Sequence, residues 1–253
     1  MAYLVYGVQQ GEGFIVITGE IGAGKTMLAN TLALKRVSGN WVQANVVSTN
    51  LRPDDMVRMV AGAFDLPQGQ TKAVTLSRIE KFLLACHRQG KRALLVVDEV
   101  QNLPARSVEE LRMLSNFVSG EKPMLQIFLL GQPEFRRILR SPEMEQLSQR
   151  VIASYHLGPM DRADTEAYIV HRLQTVGWRN DPTFSEDAFT AIHEHTSGIP
   201  RKINVLCERL LLMGRLDEKH AFTGGDVRAV IDDFQEEQDF VPAEWRSDGA
   251  VNS

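Results

Sequence analysis

The chain has 253 residues, enough for one large domain or two modest ones. Its 43% hydrophobic and 24% charged content is that of a soluble globular protein. Its formal net charge of −4 argues against a uniformly basic coat for nucleic acid but leaves room for a local basic patch. No apolar run approaches the roughly 18 residues of a membrane helix, and "MAYLVYGVQQ" lacks the positive start and small-residue cleavage site of a secretory signal.

The opening residues read as the tail of an apolar-faced helix. The first β-rich run follows at Phe14–Thr18 and leads into "GEIGAGKT", residues 19–26. Gly19, Gly24, Lys25 and Thr26 complete the pattern G-x-x-x-x-G-K-[ST] around Glu20, Ile21, Gly22 and Ala23. Glycines let the backbone curl so that several N–H groups point at one anion. The helix predicted over "KTMLANTLALKRV", with Met27 in its first turn, adds the positive end of its dipole. Lys25 has the reach for β- and γ-phosphates, and the Thr26 hydroxyl suits Mg²⁺. A glycine turn that binds nothing has the same composition. The strand before, the helix after and the complete match favour a phosphate cradle.

A second run, Val42–Ser48, is followed by Asn50, read either as a turn residue or as a group holding Glu99 in an inactive pose. The third run, Ala93–Val97, ends in Asp98 and Glu99. Asp98 is placed to hold Mg²⁺ through water, and Glu99 to polarise an attacking water. Acids at a strand end can also cap the next helix, and only the cradle earlier in the chain favours the chemical reading. The fourth run, Leu125–Leu130, leads to Gln132, whose amide suits the orientation of that water or a simple turn. Runs one, three and four are apolar almost throughout, as strands buried on both faces are. Alternation with helices predicts a parallel sheet of βαβ units.

Arg150 immediately precedes the fifth run, Val151–Leu157. A guanidinium there can reach toward a neighbouring subunit's γ-phosphate or form a surface ion pair. Arg136, Arg137 and Arg140 are the fallback candidates for that role. From Arg162 to about Gln235 no strand is expected, only helices. Ser185 marks one start, Gly198 and Pro200 another before "RKINVLCERLLLMGRL", and Thr223 with Asp226 a third as a capping box. Arg201 opens one of these helices. The stretch from residue 236 onward reads as a tail. Cys86 and Cys207 lack metal-ligand spacing and read as reduced core thiols of a cytosolic protein. The six histidines form no ligand constellation.

Taken together, GEIGAGKT, LLVVDEVQNL, LLGQPEF, LSQRV and GIPRKIN resemble an AAA+ ATPase of the general-secretion-pathway type. "VEELRMLSNF", "LQIFLLGQPEFR" and "SQRVIASYHLGPMD" look most like the ATPases of exosortase/PEP-CTERM exopolysaccharide loci. The resemblance runs from about Tyr3 to Gln235. It implies an α/β P-loop NTPase fold with strand order 5-1-4-3-2 over residues 1–159. An α-helical lid over 160–235 and a tail over 236–253 complete the implied layout. It makes Lys25 and Thr26 the Walker A pair, Asp98 and Glu99 the Walker B acids, Gln132 sensor 1, Arg201 sensor 2 and Arg150 the arginine finger. It implies ATP and Mg²⁺ as cofactors, a ring or transient homo-oligomer, and partners in an envelope polysaccharide or secretion machine. The expected location is the cytoplasm, with the inner membrane reached through partners.

Two departures stand out. Relatives usually carry some forty more residues before the first strand, part of which covers the adenine. Secretion-type relatives often continue into a membrane helix and a peptidoglycan-binding domain, whereas this sequence stops after the lid, as in the exosortase-associated branch. Two other readings compete. A DNA-associated ATPase like the transposition helpers would use Arg201, Lys202, Arg209 and Arg215 as its contact surface, which the net charge disfavours. A scaffold that binds nucleotide but scarcely hydrolyses it is disfavoured by Glu99 and favoured by the short N-terminus.

Overall fold

The computed structural model describes residues 4, 7, 8, 11, 13–35, 41–47 and 53–239. The chain divides into two compact units between Gly158 and Pro159. In the first, β1 (Phe14–Gly19), β2 (Trp41–Val47), β3 (Arg92–Asp98), β4 (Leu125–Gly131) and β5 (Val151–Leu157) form one sheet in the order β2-β3-β4-β1-β5. Every pairing is parallel. The helices α1 (Lys25–Lys35), α2 (Pro53–Ala63), α3 (Lys72–Arg88) and α4 (Ala105–Leu114) connect the strands, with short turns α5 (Phe135–Ile138) and α6 (Glu145–Ser148) before β5.

Position in the sheet explains strand composition. Every residue of β1 and of β4 is buried, and both sequences are apolar apart from Thr18 and Gln126. The edge strands β2 and β5 carry exposed positions and mix polar with apolar residues. Successive side chains of a strand point to opposite faces. Phe14 and Val16 accordingly enter one core with Val60, Leu95, Leu111 and Phe135, while Ile15 and Ile17 enter another with Ala29, Leu94, Val96 and Phe128. Leu4 and Val8, both helical, pack into the second core. Burial of one such side chain contributes about 1.5–3 kcal/mol.

The second unit is built from α7 (Arg162–Thr175), α8 (Glu186–Thr196), α9 (Pro200–Leu216) and α10 (Gly224–Asp239). Ile169, Phe189, Ile192, Leu206, Leu210, Phe222 and Val227 form its core. Ser185 caps α8 through the Ala188 N–H, and Pro200 occupies the first turn of α9. Asp226 accepts from the Thr223 N–H at 2.8 Å and the Thr223 hydroxyl accepts from the Asp226 N–H at 3.5 Å, a reciprocal capping box.

Two expectations need correction. The helical unit does contain strands: Thr183–Phe184 pairs in parallel with Ala221–Phe222. Pairs of two residues are too short for any periodicity to show in the sequence. The tail does not begin at residue 236, because α10 continues to Asp239, where Glu237 pairs with Arg209 at 2.7 Å. Residues 240–253, the stretch 36–40, Ser48 and Asn50 lie outside the described residues, and with Asn50 its suggested role. Among the described residues, no helix is long and apolar enough to cross a membrane.

Candidate active site

The cradle is built at the carboxyl end of β1. A Cβ on Gly19 would lie 2.5 Å from the Leu157 carbonyl oxygen, so only glycine lets β1 and β5 close at this point. Gly22 and Gly24 take positive φ (81° and 95°), and the Ala23 N–H bonds the Glu20 carbonyl at 3.1 Å. The loop thereby curls over the start of α1. Glu20 and Ile21 are exposed on the loop and Met27 on the first turn of the helix, while Ala23 is buried. Lys25 is only 6% exposed, and its ammonium donates to the Gly19 carbonyl at 3.0 Å and the Glu20 carbonyl at 3.1 Å. A buried ammonium needs such partners. With three donors, it is not exhausted by two bonds.

The sheet order decides what stands beside the cradle. β4 lies between β1 and β3, so the ends of three adjacent strands present Gly19, Gln132 and Asp98 side by side. Ligands of open parallel sheets bind at the carboxyl ends of strands. Thr26 donates its hydroxyl to Asp98 Oδ2 at 2.6 Å, linking α1 to the end of β3. The other Asp98 oxygen, Oδ1, accepts from the Glu99 N–H at 2.8 Å. Glu99 adopts a left-handed backbone (φ 56°, ψ 38°) at the start of a 3₁₀ turn, Val100–Asn102. Its Oε2 accepts from Gln132 Nε2 at 3.2 Å and from Gln101 Nε2 at 2.5 Å. Lys25, Thr26, Asp98, Glu99 and Gln132 thus converge from segments over a hundred residues apart.

Gln101 escaped the sequence reading. Its only signal was a polar side chain two residues beyond the strand-end acids.

Arg150 stands at the other end of the sheet. Its carbonyl accepts from the Phe14 N–H at 3.0 Å, at the opposite end of β1 from Gly19. Its guanidinium donates to the Ser115 hydroxyl at 3.0 Å. The neighbouring Glu109 carboxyl is held below its usual range, chiefly by its hydrogen bond from Arg112, against the effect of burial and with a smaller pull from Arg150. Arg150 therefore takes no part in the cradle of its own chain. Arg136, Arg137 and Arg140 are exposed. Arg201 is exposed in the first turn of α9, in the second unit. A cleft of about 550 Å³ within that unit is lined by Tyr168, Arg172, Leu173, Cys207 and Leu211 among others, none of them a member of the constellation. Burial pushes the Cys207 thiol up to about 12 and raises that of Cys86. Neither is a ready nucleophile.

Residues 8–139, more than half of the chain, match the family model described as the AAA domain. The chain belongs to the AAA ATPase family. Its AAA fold is shared with the Aeropyrum pernix ORC2 protein, at TM-score 0.70 and 16% identity, over 91% of this chain and 65% of that one. The Thermotoga maritima RuvB Holliday junction branch migration motor is also similar, at TM-score 0.61 and 16% identity, over 87% of this chain and 61% of that one. In sequence, the chain is 37% identical over 229 residues to general secretion pathway protein A of Aeromonas hydrophila. That alignment takes in 90% of this chain but 42% of the relative, so the chain spans well under half the length of the secretion protein it matches.

Proposed function

We propose that this chain binds Mg-ATP in the loop 19–26 and hydrolyses it as the motor or switch of an envelope secretion, protein-sorting or exopolysaccharide system. The observation that carries the reading is the hydrogen-bonded row Thr26–Asp98–Glu99–Gln132 beside the buried Lys25. The loop N–H groups and Lys25 hold the β- and γ-phosphates. The Thr26 hydroxyl and an Asp98 oxygen, 2.6 Å apart, form a hard-oxygen pair suited to a Mg²⁺ ion. When bound, that ion supplies charge neutralisation between the β- and γ-phosphates. Glu99 takes up a proton from the attacking water, which Gln132 helps to orient. Each group is in place before reaction, so catalysis rests on positioning and charge.

In this reading the second unit is a lid whose Arg201 senses the nucleotide, and Arg150 serves the γ-phosphate of a neighbouring subunit. The 37% identity to a secretion-pathway protein supports the envelope setting. The strings "VEELRMLSNF" and "SQRVIASYHLGPMD" favour the exosortase-associated branch within it. The chain would work at the cytoplasmic face of the inner membrane through partners. A DNA-associated role is weakened by Arg209, whose guanidinium lies 3.9 Å from the Phe234 ring centroid and pairs with Glu237 within its own unit. ATPase stimulated by DNA, with a steep salt dependence, would reverse that ranking.

The test is a pair of variants. Ligand that binds only the native state stabilises by RT ln(1 + [L]/Kd), about 2.7 kcal/mol at a hundredfold excess. Mg-ATP should raise the melting temperature of the parent chain and of Glu99→Gln but not of Lys25→Ala. Glu99→Gln should lose about 10²-fold or more in turnover, the range for a lost general base. Equal thermal shifts in all three proteins would remove the nucleotide from this loop.

A further inference from the structure

We propose that Gln101 is a positioning residue for hydrolysis, whose single amide holds the Glu99 carboxylate and ties it to the end of β4. The inference rests on the reading of Glu99 as the group that polarises water. Both ends of the amide are used. Nε2 donates to Glu99 Oε2 at 2.5 Å, and Oε1 accepts from the Gln132 N–H at 3.0 Å. Turning the amide over would set N–H against N–H and oxygen against carboxylate, so its neighbours fix its orientation. Gln132 closes the triangle by donating Nε2 to the same carboxylate oxygen at 3.2 Å.

The local backbone serves this contact. The left-handed Glu99 starts the 3₁₀ turn, with the Asn102 N–H on the Glu99 carbonyl at 3.0 Å, and the turn brings Gln101 back over the carboxylate. Val100, 1% exposed, seats the turn against β4. A Cβ on Gly131 would lie 2.9 Å from Val100 Cγ2 and 3.3 Å from Gln101 Oε1, so glycine lets the turn approach. An unrestrained glutamate would sample several rotamers. Two amides on one oxygen, Oε2, confine Glu99. Displacement of Gln132 by a γ-phosphate would move Glu99 through the same amide.

A merely structural glutamine would only satisfy the Gln132 N–H. Gln101→Glu separates the two roles, because it keeps the acceptor for that N–H and replaces the donor to Glu99 with a like charge. Gln101→Met removes both bonds at similar volume. We expect both variants to keep the Mg-ATP thermal shift and the KM for ATP. Their kcat should fall about 10- to 100-fold, as for lost supporting hydrogen bonds elsewhere. Adding Gln101→Met to Glu99→Gln should lower kcat no further, because the residue acts through Glu99. Full activity of Gln101→Glu, or penalties that multiply in the double variant, would overturn the role of Gln101 while leaving the site intact. Turnover by Glu99→Gln at the parent rate would instead overturn the site reading and this inference with it.

Discussion

At the scale of single residues, the cradle depends on glycines for two different reasons. Gly24 has no atom within 4 Å of where a Cβ would stand, and it is its φ of 95° that would strain any other residue. Gly19 fails on space, since the Leu157 carbonyl is backbone and cannot swing aside as a flexible side chain would. Gly19→Ala should therefore part β1 from β5 at the site. The expected cost is about 1–3 kcal/mol of stability, as for other overpacked positions, together with loss of the Mg-ATP thermal shift. Chemical denaturation and melts with ligand measure the two effects separately, and a variant that keeps both properties would show that the strands separate freely. The loop residues Gly19, Gly24, Lys25 and Thr26 were legible in the sequence because they sit together in eight residues with fixed spacing. Gln101 was not, because its role arises from bonds between strand ends; its partner Gln132 lies 31 residues away.

At the scale of elements, buried strands announced themselves and short ones did not. The runs beginning at Phe14, Ala93 and Leu125 were legible because burial on both faces favours a nearly continuous apolar sequence. The pairing of Thr183–Phe184 with Ala221–Phe222 was silent, since it is fixed by packing of the helices around it. The capping box of α10 was legible and has a measurable consequence. The Asp226 carboxyl is lowered to about 2, first by its hydrogen bond from Lys219 and then by those from the Thr223 N–H and hydroxyl. A carboxyl with a depressed folded value stabilises above its unfolded value of about 3.9. That contribution is lost as pH falls through the folded value. Asp226→Ala should cost about 1 kcal/mol at neutral pH. The gap to the parent should narrow from about pH 4 and close near about pH 2. Denaturation curves across that range test it, and a gap independent of pH would mean that the carboxylate charge contributes nothing.

At the scale of the whole molecule, the sequence changes character after "LGPMD", from alternating strands and helices to helix patterns, and the chain divides into compact units between Gly158 and Pro159. What one sequence lacks is a second copy of itself, and on the proposed reading Arg150 is where that copy matters. An arginine finger contributes about 10³–10⁵ in rate. ATPase activity per subunit should rise with protein concentration, and Arg150→Ala should lose most of it while binding ATP normally. Mixing Arg150→Ala with Lys25→Ala should restore part of the turnover, because an intact cradle then meets an intact arginine. A mixture that co-assembles and stays inactive would refute action across subunits.

Strand β1 joins the two ends of this scheme. It carries the cradle at Gly19 and, at Phe14, holds the Arg150 carbonyl. The five-residue interval is about 17 Å of extended chain. It is paired in parallel on both sides, to β4 and to β5, and buried throughout. A slip of one residue would turn every side chain to the wrong face. On the proposed reading, the interval between the phosphate a subunit keeps and the arginine it lends is a gear pitch cut into the sheet. Surface loops can lengthen or shorten, but copies that differ in this pitch would not mesh.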